Sequence, residues 1–408
     1  MPVRVRLIEP DDLTAWVDAV RVGFQQGPVP PGAAAARLGW MDLSRTFGAE
    51  DDGRFVATFR SFASELTLPG GATVPVSAIT AVSVSPTHRR QGLMSGLMRA
   101  DLQASAERGE AAAILIASEY PIYGRFGFGP AVDHATYRIG PRPVAFTAPP
   151  PPGSIRLVEP AALRPLAPEL YEEHRRAVPG SITRDGAWWD RALGLVDVPG
   201  MPGWSGRAVV ASDPAGRPTG YLRYHVDERW EHRVAVGTLV VDELVATTPE
   251  AYRLLWAMCL EADLVAEVEA RDRSVDEPLR HLLVDARRFR QVHRSDLLWV
   301  RLLDPSAFLG ARTYPVEVRV VLEVVDDLGL AGGRFALEGG PEGVSCTPST
   351  ASPALRLPVA ALGAASLGGT SLASLAAAGL VEELVPGALA AADAAFGSPT
   401  TPWCTTWF

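Results

Sequence analysis

Apolar and polar positions follow two periods along this chain, and the switches between them outline its elements. The start, Met1-Pro2-Val3-Arg4-Val5-Arg6, alternates as a strand does. Residues 55–59 and 65–68 read as strands, and Pro69-Gly70-Gly71 turns the chain into the strand-like Thr73-Val74-Pro75-Val76. A further strand covers 79–84. The polar loop 85–92 then gives way to Leu93, Leu97, Ala100 and Ala104 at helical spacing, in a helix that stops at Gly109. Residues 111–117, with Ile114-Leu115-Ile116 inside, make a short buried strand. Meander, loop, helix and strand is the order of an α+β sheet whose ligand loop sits between strand and helix.

The outline returns further on. Arg6-Leu7-Ile8-Glu9-Pro10 recurs as Arg156-Leu157-Val158-Glu159-Pro160, just after the stiff run Pro149-Pro150-Pro151-Pro152-Gly153. Strands are expected at 207–211, 219–224 and 233–245, followed by a helix over 249–268. The charge-dense run 261–273 reads as a solvated helix face with i,i+4 pairs, and Trp188-Trp189 as a packing corner. Where the first unit has its basic, Gly-containing loop, the second has Ala246-Thr247-Thr248-Pro249-Glu250. From about residue 300 the texture changes: Val316-Glu317-Val318-Arg319-Val320 alternates as a strand. The uncharged stretch 357–381 is too rich in Ala, Gly, Ser and Thr for a membrane span and reads as helical. The expected division is 1–148, 154–298 and 299–408.

Composition narrows the chemistry. The chain has 408 residues and 38 basic side chains, every one an arginine. Without lysine there is no Schiff base, no Walker A lysine and no Ser-x-x-Lys nucleophile. A net charge of −9 argues against nucleic acid or an anionic membrane as partner and suits a cationic acceptor. Cys259, Cys346 and Cys404 lie far apart, and the seven histidines form no HxH or HExxH pair, so no metal is expected. The start lacks the apolar stretch of a signal peptide, and a reducing, cytoplasmic compartment fits.

The candidate chemistry sits in Thr87-His88-Arg89-Arg90-Gln91-Gly92-Leu93-Met94-Ser95, which joins strand to helix. There the unpaired backbone N–H groups and the positive helix end attract an anion, glycine permits close approach, and arginine adds charge. That arrangement suits a pyrophosphate; an ordinary basic loop is the alternative reading of the same residues. Neither a G-x-G-x-x-G pattern nor a P-loop lysine is present, so hydride transfer and NTP hydrolysis lose ground. Downstream, Tyr120-Pro121-Ile122-Tyr123-Gly124-Arg125-Phe126-Gly127-Phe128-Gly129 follows the buried strand.

Strand, Arg-Arg-Gln-Gly loop, helix, strand and Tyr-x-x-x-Gly-Phe together resemble the GCN5-related N-acetyltransferases. The wider set, His88 to Met94, Ser118-Glu119 and Ile122 to Pro130, resembles within that superfamily the Eis (enhanced intracellular survival) family. The resemblance implies two tandem acetyltransferase-like α+β domains, the second degenerate, and a C-terminal sterol-carrier-like α+β domain. It implies acetyl-CoA as co-substrate, with the backbone of Val82, Ser83 and Val84 on the pantetheine and thioester. Arg90, Gln91, Gly92, Leu93, Met94 and Ser95 would bind the pyrophosphate with Arg89 beside them, Ser118 and Glu119 would border the cofactor, and Tyr123 would protonate the departing thiolate. It also implies a hexamer and amine acceptors of the aminoglycoside, polyamine or lysine side-chain type. A lipid or sterol carrier, with the transferase units as scaffold, is the rival reading.

The chain ends Pro402-Trp403-Cys404-Thr405-Thr406-Trp407-Phe408. Leaving its large aromatics in water would forgo ~1.5–3 kcal/mol each, so the tail is expected to dock and to bring the α-carboxylate to a fixed place. By the resemblance, the Phe408 carboxylate is the general base. An amine is mostly ammonium at neutral pH and must lose a proton to attack. A carboxylate of ordinary pKa ~3.5 serves only if burial raises it or a water relays the proton. Tyr123, with an ordinary pKa of ~10, suits donation to a thiolate. Attack is then direct, with no Ser or Cys intermediate.

Overall fold

The computed structural model describes residues 3–140 and 144–408, so Met1 and Pro2 of the expected first strand lie outside the described residues. One twelve-stranded sheet runs through two related halves. From one edge it carries Arg4–Leu7, Thr46–Asp51, Arg54–Thr67, Thr73–Val84 and Ala112–Ile116. Phe289–Leu302 and Gly129–Ile139 follow, then Glu267–Arg273, Thr238–Ala246, Pro218–Asp227, Arg207–Ser212 and Ser154–Val158. The repeated pentapeptides therefore mark the two outer edges. Strand Phe289–Leu302 crosses the expected 298/299 boundary and lies between two strands of the first half, Leu298 facing both Ile116 and Val132.

The short strands expected at 55–59 and 65–68 are one long strand, Arg54–Thr67, and those at 73–76 and 79–84 are Thr73–Val84. A single antiparallel ladder from Ala57↔Val84 to Thr67↔Thr73 holds them together. Helix Leu93–Glu107 covers one face, burying Leu97, Met98 and Leu102 against Phe59, Ile79 and Leu115. In the second half the helix ends at Glu261, and 267–273 is a strand, not a solvated helix face. Ala262 leaves the helical region at ψ 129°, and Leu264 at a left-handed φ of 63° turns the chain toward the strand. Two charges of this run find partners: Arg138 Nε, on the neighbouring strand, donates to Glu269 at 2.8 Å, and Arg273 Nε donates to buried Glu277 at 2.8 Å.

The third region forms a five-stranded sheet ordered Gly343–Pro348, Gly333–Gly340, Val318–Val325, Leu355–Pro358 and Glu382–Glu383. The uncharged stretch holds the short helices Val359–Ala365 and Leu372–Ala377. Its small residues have a packing cause. A Cβ on Gly363 would stand 2.2 Å from the Val300 carbonyl oxygen, and one on Gly129 1.9 Å from that of Ala360, so this helix lies backbone to backbone on the large sheet. A buried Arg301–Asp326 pair at 2.9 Å joins the same two regions. Among the described residues no helix is long and apolar enough to cross a membrane.

Candidate active site

Strands Thr73–Val84 and Ala112–Ile116 pair in parallel from Val76↔Ala112 to Ile79↔Leu115 and then part. The parting begins at a bulge: Thr58 faces Ser83 and Arg60 faces Thr80, leaving Ala81 and Val82 against Phe59 alone. Ala81 adopts φ 52°, and Thr58 Oγ1 pins the bulge, donating to the Ala81 carbonyl at 2.8 Å and lying 2.7 Å from Ser83 Oγ. Helix Leu13–Gly23 closes on the same spot. A Cβ on Gly23 would meet Ser83 Cβ at 2.4 Å, so only glycine permits this approach.

The parted strands open onto a cleft of about 850 Å³. Its far wall is the turn into helix Leu93–Glu107, where Arg90 (φ 65°) and Gly92 (φ 82°) are both left-handed and nothing stands within 4 Å of the Gly92 Cβ position. The free N–H groups of that helix start therefore face open space. Among the described residues neither Arg89 nor Arg90 has a carboxylate partner, while His88 is held 3.1 Å from Asp51 and 2.8 Å from Thr87. Open donors, unpaired cations and free volume fit the diphosphate of a coenzyme.

Tyr123 closes the short helix Tyr120–Tyr123 and is 4% exposed. Burial raises the pKa of its hydroxyl, a hydrogen bond with Ser118 opposes the rise, and the Glu119 charge adds to it. The group therefore stays protonated at neutral pH, as a proton donor must. Its ring packs edge-on to Phe128, among the side chains on the helix Leu93–Glu107 face of the sheet.

The tail is docked. Trp403 is buried, its N–H donating to the Pro179 carbonyl at 2.8 Å and its indole N–H to the Asp272 carbonyl at 2.8 Å. The Phe408 ring meets Phe62 edge-on at 5.5 Å. Ser61, the neighbour of Phe62, reaches Asp101 of helix Leu93–Glu107 at 2.7 Å. Strand alternation therefore puts Phe62 and Phe408 on the face opposite that helix, across the sheet from Tyr123.

Of the residues singled out from the sequence, Val82, Ser83, Val84, Arg89, Arg90, Gly92, Leu93, Met94, Ser95, Ser118, Glu119 and Tyr123 line the one cleft, whereas Gln91 and Phe408 do not. Phe24, a pocket candidate that sequence alone could not place, lines it too, together with Gly23 and Gln25, which sequence reasoning missed because nothing local tells that a distant helix ends there. His88, Ile122 and Arg125 also line it, and those three lay within the motifs already singled out.

Fold and cleft together define a coenzyme-A-dependent acyltransferase, and known proteins agree. Residues 4–131 and 180–302 each match the acetyltransferase (GNAT) domain family, and 305–405 match the sterol carrier protein domain family. The chain is 41% identical over 412 residues to an N-acetyltransferase of Streptomyces griseus, covering 99% of each. It is 35% identical over 341 residues to N-acetyltransferase Eis of Mycobacterium tuberculosis, covering 82% of this chain and 81% of that one. The crystal structure of Eis1 from Mycobacterium abscessus matches it with a TM-score of 0.87 at 35% identity, over 99% of this chain and 100% of the other. The chain belongs to the Eis-like N-acetyltransferases of the GCN5-related superfamily. It is accordingly an acyltransferase of two GNAT domains and a sterol-carrier-like domain, using acetyl-CoA and an amine acceptor.

Proposed function

We propose that this enzyme moves the acetyl group of acetyl-CoA directly to an amine of a cationic acceptor, with the Tyr123 hydroxyl as general acid and the Phe408 α-carboxylate as general base. In this reading Arg89, Arg90 and the start of helix Leu93–Glu107 take the diphosphate, Gln91 shapes the turn, the backbone of Val82 to Val84 takes the pantetheine arm, and Ser118 and Glu119 border it. The amine nitrogen bonds to the thioester carbonyl carbon and gives its proton to the carboxylate. The C–S bond breaks, and the thiolate takes the proton of Tyr123. The observation that carries the reading is one cleft holding both the arginine turn and a buried, protonated tyrosine. The docked tail supports a fixed place for the Phe408 carboxylate, and the net charge of −9 supports a cationic acceptor.

Aminoglycosides, polyamine-like compounds and lysine side chains are the acceptor classes this reading entails. A hexamer in the cytoplasm, divided into 1–148, 154–298 and 299–408, belongs to the same proposal. Its test is thiol release from acetyl-CoA across a panel of these amines, with Tyr123→Phe beside the wild type. The variant should lose about 10²–10³-fold in kcat at little-changed acetyl-CoA KM. An unchanged kcat returns Tyr123 to a packing role, and no release with any amine overturns the reading.

A further inference from the structure

The second half of the sheet repeats the parting of strands. Thr238–Ala246 and Glu267–Arg273 pair in parallel from Thr238↔Glu267 to Val241↔Ala270, and a register slip between Val241 and Glu243 follows, as the Ala81 bulge follows in the first half. Helix Pro249–Glu261 comes next in sequence, as Leu93–Glu107 does. The space left here is only about 220 Å³, because residues of the tail occupy the place: Trp403, Thr405 and Trp407 line it together with Glu243 and Arg273.

Arg184 packs behind this groove against its lining residues Glu243, Thr405 and Trp188, with its side chain fully buried. Its Nε donates to Thr406 Oγ1 at 2.8 Å and its Nη2 to Thr405 Oγ1 at 2.8 Å. Nη1 is ion-paired to Glu243 at 2.7 Å, and the plane lies between Tyr171 and Trp188, 3.7 and 3.8 Å from the ring centroids. Despite burial, which raises it, Arg184 and Arg223 hold the Glu243 pKa at about 2, so the pair stays charged. A rigid planar fork gripped on two faces and one edge has little freedom left. Two residues span at most ~7 Å, so a chain gripped at Thr406 keeps the Phe408 carboxylate within that radius. The Phe408 ring against Phe62 is the second anchor.

We propose that Arg184 is a positioning residue for acetyl transfer: the second unit's groove has become a clamp, and its arginine fork holds the tail so that the Phe408 carboxylate stays at the reacting amine. This rests on the carboxylate's role as base. The test uses the full chain with its native end, in Arg184→Gln and, because a buried arginine can be needed for folding, in the isosteric pair Thr405→Val/Thr406→Val.

Two readouts are taken: kcat and acetyl-CoA KM from thiol release, and the rate at which carboxypeptidase A removes Phe408 from the folded protein. The clamp predicts kcat lower by about 100-fold in Arg184→Gln and about 10-fold in the threonine pair, since misplacement by about 1 Å costs that much. KM should stay within about twofold and Phe408 release should rise at least about tenfold, because the untethered tail reaches the protease. Folded variants trimmed no faster than wild type, or keeping full kcat, overturn the clamp. Wild-type protein stripped of Phe408 yet keeping its kcat overturns the base assignment instead, so the two failures read differently.

Discussion

At the end of one parallel strand pair the sheet parts around about 850 Å³; at the end of the related pair it parts around about 220 Å³. Pairing, register slip and following helix are shared, and the lining is not. The first groove keeps two arginines that have no carboxylate partner among the described residues, a glycine with open space beside it and a buried phenol. The second spends its charges on each other: Glu243 with Arg184 and Arg223, Arg273 with Glu277. An unpaired cation beside empty volume can take a ligand, whereas one already neutralised beside packed indoles serves as structure. The contrast shows how the same backbone gives an open cleft in one half and a filled socket in the other through a handful of side chains.

The largest test removes the link between the two grooves. Deleting Phe408 should lower kcat by about 10²–10⁴-fold, the worth of a general base, with the melting temperature nearly unchanged because the remaining tail stays seated. Wild-type kinetics from such a chain would break the comparison at its functional end. Emptying the socket comes next. Trp403→Ala removes a buried indole whose N–H donates to the Asp272 carbonyl and which Arg273 stacks at 4.5 Å, and should cost about 3–5 kcal/mol in denaturant titrations.

Acid should loosen the socket before the cleft. His174 packs edge-on to Trp403 at 5.7 Å, and burial lowers its pKa to about 4. Unfolded, it titrates near ~6.5, so between those values the unfolded chain binds the extra proton. Its contribution is complete above pH ~6.5 and falls as the pH drops toward 4, by about 2 kcal/mol at pH 5. Unfolding titrations at pH 7 and 5 should show this loss in wild type and a smaller one in His174→Gln; equal losses would remove His174 as the cause. The smallest effect sharpens the other side. Arg90→Ala should weaken coenzyme A about 5–10-fold by calorimetry, as a solvent-facing cation on phosphate does, at one site per chain. Two sites per chain would mean that the second groove still binds.

How far the sequence foretold this depends on distance along the chain. That the arginine turn lines the cleft was readable because His88 to Ser95 is contiguous and its chemistry is local. The repeated pentapeptide foretold two related halves and proved to mark both sheet edges. The Ala81 bulge was not readable, since it exists only against Phe59, and neither was the close approach of Gly23 to Ser83. Residues 261–273 misled because charged side chains suggest water, while here Glu269 pairs with Arg138 of the neighbouring strand and Arg273 with buried Glu277. The clamp needed Arg184, Glu243 and the tail brought together from three distant stretches, and no local pattern announces that.

Strand Phe289–Leu302 has a consequence for how the molecule is made. It fills the gap between Ala112–Ile116 and Gly129–Ile139, so the half that carries Tyr123 emerges from the ribosome with an unpaired opening in its sheet. That opening waits until residue 302 has been synthesised, a long-range closure of the slow, high-contact-order kind. Until then two strand edges stand exposed beside the nascent cleft. The half that carries Tyr123 and its neighbour are therefore expected to mature as a single folding event, and cutting the gene between them would release an open sheet inclined to aggregate.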